Sequence, residues 1–189
     1  MTKMEFYIPV ATLGIACATL TGCGSDSNPK QPAVQSAPAP VAVQTAPAPV
    51  VYQATLAEGV DFKRDGYPDF LAGVSGVSGK EAWGRWTDGP SAKFDFKHPL
   101  PNKFTLVIQS GVFGPNVGQP AIVRVGKLEK SIVPNKPEEA SYSLSFEGVD
   151  NAKSVEIIPA KPTSPKDLDP KNGDYRKLGL YLITLKIQP

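Results

Sequence analysis

The sequence is poor in the side chains that do most enzymatic work. There is one histidine, His98, and there are two cysteines, Cys17 and Cys23. His98 stands in "FKHPLP", between an extended run and a proline pair. That context suits a turn better than a general base, which needs a fixed partner and a tuned environment. Two thiols give no disulfide framework. An excess of charge of either sign is also lacking, since the formal net charge is +2. A balance this mild excludes the strongly basic face of a nucleic-acid binder. The apolar run Phe6 to Leu20 holds about fifteen residues, short of the twenty or so that cross a bilayer. No window of ten or more residues makes a convincing amphipathic helix. "GVSGVSG" (Gly73 to Gly79) never reads G-x-S-x-G, so it is no serine elbow, and a flexible loop is expected there.

What is present begins with an address. Lys3 precedes the short apolar run, which has the length of a secretory h-region. "LTGC" (Leu20 to Cys23) follows directly and has the form of a lipobox. A signal peptide over residues 1–22 is expected, with Cys23 acylated and made the new N-terminus. Cys17 would leave with the signal, and the mature chain would hold its fold without a disulfide. Gly24, where an aspartate would favour inner-membrane retention, points to the outer membrane, on its periplasmic or surface side. Several acyl chains anchor stably where one would be marginal.

Residues 23–57 read as a linker. "QSAPAPVAV" (Gln35 to Val43) is followed by "QTAPAPVVY" (Gln44 to Tyr52), an imperfect repeat. Alternating Ala-Pro removes backbone donors and favours extended polyproline II. Some thirty residues of it would reach about 90 Å at full extension.

Residues 58–189 read as one domain with an all-β pattern. "FTLVIQSGVF" (Phe104 to Phe113), "AIVRVG" (Ala121 to Gly126), "SVEIIP" (Ser154 to Pro159) and "LGLYLITLKI" (Leu178 to Ile187) are β-rich runs bounded by turn formers. "AKFDF" (Ala92 to Phe96) and "YSLSF" (Tyr142 to Phe146) alternate, which sends Phe94, Phe96, Tyr142, Leu144 and Phe146 inward. "SPKDLD" (Ser164 to Asp169) suggests one turn of helix, with Ser164 as cap and Pro165 at the first position. Short strands at regular spacing predict a β-sandwich of jelly-roll kind.

Metal and catalytic signals are weak. "DLDPKNGD" (Asp167 to Asp174) is rich in oxygens, but its spacing is not that of an EF-hand, and an Asx-type turn is the better reading. No metal and no cofactor are expected. Glu81 and Asp174 are a conceivable carboxylate pair for glycoside chemistry, although separation in sequence does not show that they meet.

The strongest feature is "GKEAWGRWTDG" (Gly79 to Gly89), which holds both tryptophans. Extended backbone would put Glu81, Trp83 and Arg85 on one face and Trp86 on the other. A turn would instead let residues three apart share a side, with both indoles free to sink inward. An indole framed by a carboxylate and a guanidinium suits a sugar. It equally suits a core tryptophan with an ion pair beside it.

"GVSGKEAWGRWTDG", "HPLPNKFTLVI", "FGPN", "VRVG", "PTSP" and "DYRKLGLYLITLKI", in that order, resemble the C-terminal domain appended to bacterial phosphoglycerol transferase I. That enzyme decorates osmoregulated periplasmic glucans. The resemblance runs from about Val60 to Ile187 and leaves out the transferase's membrane helices and catalytic domain, so transferase activity does not carry over. It implies an accessory β-sandwich with a glycan role. By matching motif, Glu81, Trp83, Arg85, Trp86, Asn116, Asp174 and Arg176 stand at the family's characteristic positions. Asp174 and Arg176 could pair with Arg85 and Glu81 in a structural network. Two partners follow as expectations: the membrane through the lipid, and an envelope glycan. A module that docks on another envelope protein is the alternative.

Overall fold

The computed structural model describes residues 50–189, which form two five-stranded antiparallel sheets and a small two-stranded parallel pair. The expected signal peptide, Cys23 and most of the linker lie outside the described residues. The pair joins β1 (Val51–Tyr52) to β3 (Tyr67–Pro68). Packed structure therefore starts before the boundary at residue 58 that the sequence suggested, because Tyr52 and Tyr67 bury ring surface there.

The first sheet has the order β10 (Ala140–Glu147), β7 (Lys103–Val112), β12 (Leu178–Gln188) and β2 (Val60–Asp61), with β5 (Arg85–Asp88) also paired to β12. The second has the order β4 (Leu71–Ser75), β6 (Ala92–Phe96), β11 (Ser154–Ile158), β8 (Ala121–Val125) and β9 (Leu128–Ile132). From β4 to β8 each strand lies in the sheet opposite its predecessor, the wrapping of a jelly roll. The segment read as a flexible loop is β4, followed by a crossing in which Val77 bridges to Thr87 of β5.

Alternation sets the core. Phe94, Leu106, Ile108, Val123, Val155, Ile157, Leu182 and Leu185 come from both sheets and are fully or almost fully buried in one cluster. Phe62 meets Phe94 edge-on at 5.6 Å. Each such side chain contributes about 1.5–3 kcal/mol on leaving water. Outward positions of the second sheet include charged pairs: Lys93 with Asp95 at 2.8 Å, and Arg124 with Glu129 and Glu156, both at 2.7 Å. The expected single helical turn is α1 (Pro165–Leu168), closed by a capping box between Ser164 and Asp167.

Candidate functional site

The tryptophan segment turns rather than extends. Glu81 N–H donates to Gly84 O at 2.8 Å, and Gly84 N–H donates back to Glu81 O at 3.3 Å. Gly84 has φ +149°, and a Cβ on it would lie 2.1 Å from the Leu182 carbonyl oxygen, so only glycine fits. The turn breaks the period of two. Trp83, at its tip, and Trp86, in β5, therefore share a side, and the extended reading that pointed them apart is corrected. That side is the outer face of the first sheet, since Arg85 and Thr87 take the buried positions of β5. Both indoles stay partly exposed and do not sink inward.

Tyr181 of β12 completes the cluster. Ring centroids are 5.2 Å apart for Trp83 and Trp86, 5.0 Å for Trp83 and Tyr181, and 5.3 Å for Trp86 and Tyr181, each pair near perpendicular. Phe113 backs Trp86 at 5.8 Å. Edge-to-face contacts of this kind are worth about 0.5–1.5 kcal/mol each beyond burial. At these separations the rings touch, and no group fits among them. The cluster offers outer ring faces, not an enclosing cage. A shallow cleft of about 400 Å³ opens over it, lined by Trp83, Trp86, Tyr181, Ile183, Lys63, Glu81 and Glu139. Burial raises the Tyr181 hydroxyl pKa, and the charges of Glu139 and Glu138 add to the rise.

Beside the cleft, Arg176 joins two carboxylates. Its Nε donates to both oxygens of Asp174 at 3.0 and 3.1 Å, its Nη2 to Asp174 Oδ2 at 2.7 Å, and its Nη1 to Glu81 Oε1 at 2.9 Å. These hydrogen bonds hold Asp174 below the usual carboxylate range and Arg176 above its ordinary value. Glu81 keeps its second oxygen free of described partners. Glu81, Trp83, Trp86, Asp174 and Arg176 thus come together, as a network in which Arg176 takes both acids.

Arg85 is not in that network. It is 9 % exposed on the core side of β5, over the Tyr67 ring at 5.1 Å, and donates to the carbonyls of Ser78 and Arg64 at 3.3 Å each. Asn116 is 2 % exposed, and both ends of its amide bind the main chain of Lys161, at 2.9 and 2.8 Å. It pins one loop to another and offers a ligand nothing. In the Asp167–Asp174 loop, Asp169 and Asn172 accept from main-chain N–H groups two residues on, as Asx turns do. Among the described residues no group of three His, Cys, Asp or Glu side chains is placed to hold a metal.

Sequence reading missed Tyr181 and Glu139. Tyr181 carried a signal: it is the one polar-tipped ring in "LGLYLITL", and its buried neighbours Leu180 and Leu182 send it outward. Glu139 carried none, because it precedes β10 in a polar loop. A larger cleft of about 650 Å³, at the other end of β7, includes Phe104 and Phe146. Those rings are 2 % and 1 % exposed, so they present no face to a ligand.

Among the described residues no helix is long and apolar enough to cross a membrane. The chain is similar to phosphoglycerol transferase I of Escherichia coli (strain SE11) and of Shigella boydii serotype 18, each 34 % identical over 134 residues. The match covers 69 % of this chain and 17 % of each relative, so the chain spans under a fifth of their length. A solved mutant of a family 29 carbohydrate-binding module superposes with a TM-score of 0.47 and 13 % identity, over 69 % of this chain and 89 % of that one. That likeness is too slight to argue from. The family model that fits covers residues 44–189, and the chain accordingly belongs to DUF7024, a domain of unknown function.

Proposed function

We propose that this β-sandwich is a non-catalytic module that binds glycan on the aromatic cleft. The observation that carries the reading is the set of partly exposed rings of Trp83, Trp86 and Tyr181, with Glu81 and Glu139 in the same lining. Sugars present C–H faces to aromatic rings and hydroxyls to carboxylates. A cleft with a few convergent polar groups on an apolar floor is the usual form of such a site. The similarity to an enzyme named for phosphoglycerol transfer supports a setting among envelope glycans. A catalytic role for the expected carboxylate pair is disfavoured, because Glu81 and Asp174 are both held by Arg176 and only Glu81 of the two lines the cleft. A general acid must carry a proton near its working pH, and Asp174 is held below the ordinary range.

In this reading Cys23 is acylated and the Ala-Pro segment holds the module off the outer membrane. Changing Cys23 to Ala is expected to move the protein from the membrane to the soluble fraction and to abolish labelling by a palmitate analogue. Glycan binding is tested by calorimetric titration of the full-length protein in detergent with periplasmic glucans and cell-wall fragments. A folded protein that binds none of them would sink the reading.

Docking on an envelope protein has its own observation. Leu168, at the end of α1, and Tyr175, next to Asp174, stand 56 % and 71 % exposed. A photocrosslinker at Tyr175 that captures one protein reproducibly, with no effect of sugars, would favour that reading.

A further inference from the structure

We propose that the recognition face continues past the aromatic cleft, so that its ligand is an oligosaccharide chain and not a single sugar. This rests on the glycan-binding reading and deepens it. The register of the first sheet carries the argument. Tyr181 pairs with Gly111, and the next outward row along the strands is Thr184, Gln109 and Ser141, directly opposite one another across β12, β7 and β10. On β7 two residues of strand separate the rows, about 6.7 Å and of the order of one sugar unit, while β12 carries one extra residue there, in a bulge between Leu182 and Thr184. Three strands make the row about 10 Å wide.

The chemistry of the row sets it apart from an ordinary solvated face. Thr184, Gln109 and Ser141 are uncharged, lie within reach of solvent, and make no side-chain hydrogen bond to another described residue. Charged residues on the outer face of the other sheet give a contrast. There Lys93, Asp95, Arg124 and Glu156 are locked in ion pairs. Charged groups hold water tightly and cost more to strip, while hydroxyls and amides exchange water for sugar hydroxyls at little loss. Farther along the outer face of the first sheet Thr105 meets Ser145 and Lys103 pairs with Glu147, so it is this row, next to the aromatic rings, that leaves its donors and acceptors open.

The experiment titrates the full-length protein in detergent with glucose, its disaccharides and its linear oligomers up to hexaose, in several β-linkages. Affinity is expected to rise about tenfold or more with length in at least one linkage series. Gln109→Ala and Thr184→Ala are each expected to weaken the longest oligomer about two- to tenfold, the share of one neutral hydrogen bond, and to leave glucose unchanged. Thermal denaturation of each variant confirms that the fold is intact. If glucose binds as tightly as the hexaose, or both variants bind every oligomer normally, the extension fails while the aromatic cleft stands. If no sugar binds at all, both fail.

Discussion

The ring of Tyr181 occupies the space that a side chain on Gly111 would need. A Cβ built on Gly111 would lie 2.1 Å from Tyr181 Cζ, on a directly paired strand. The glycine is therefore what lets the tyrosine lie flat across β7 and serve as the floor on which both tryptophans rest. Gly111→Ala is expected to displace the ring, cost about 1–3 kcal/mol of stability as overpacking does, and shift tryptophan emission. Calorimetric unfolding and fluorescence check it. An unchanged emission spectrum would mean that the ring does not support the indoles.

The two tryptophans should separate binding from stability. Trp86 touches three rings, Trp83 two. Trp83→Ala is expected to weaken glycan binding about tenfold or more, as loss of an aromatic anchor does, with a smaller fall in melting temperature than Trp86→Ala causes. Trp86→Ala is expected to lower both, since it leaves Phe113 and Tyr181 without a shared neighbour. Equal losses of stability would mean that Trp83 is simply packing.

The strands were legible where a single periodicity governed them. Phe94 and Phe96 are buried, and Lys93 and Asp95 face out, as "FDF" flanked by lysines requires. The capped turn at Ser164 was legible because its chemistry is local. β9, "LEKSI", escaped notice because it is an edge strand with three consecutive exposed residues and no alternation. The site was half legible. Trp83, Trp86, Glu81, Asp174 and Arg176 were named, but their geometry depends on a turn closed by Gly84 against Leu182, a contact nearly a hundred residues away in sequence. Arg85 and Asn116 were grouped with them because motif position does not tell a side chain that faces the cleft from one that faces the core.

Acid should loosen the cleft's rim. Asp174 has a folded value below its ordinary 3.8, caused first by its hydrogen bonds from Arg176. The unfolded chain thus binds this proton more readily than the folded one. The stability it supplies is complete above the ordinary value and is lost as pH falls through the lower folded value. The melting temperature is expected to drop below about pH 4, and Asp174→Asn should lack part of that drop. Glu58, Asp65 and Asp167 are lowered in the same sense, by Thr55, Lys80 and Lys177, so a residual slope should survive in the variant. An identical slope in the variant would show that the Arg176 contact does not persist in solution.

Arg85 offers the cleanest separation of family motif from ligand contact. It is a cation taken out of water with no carboxylate paired to it among the described residues, and its Nε has no hydrogen-bond partner. Its two donated bonds are long, and its best neighbour is the Tyr67 ring. Replacing buried charge with an apolar side chain of similar length is often neutral or stabilising. Arg85→Met is therefore expected to keep or raise the melting temperature, whereas Arg85→Ala should cost about 2 kcal/mol or more through the cavity it leaves. Burial raises the Tyr67 hydroxyl pKa and Arg85 opposes that rise, so the Met variant should shift the Tyr67 titration upward, and that of Tyr52 less so. Glycan affinity should not change, because the side chain lies on the far side of β5 from Trp86. A folded Arg85→Met protein that no longer binds sugar would return Arg85 to the site and move the ligand to the other side of the strand.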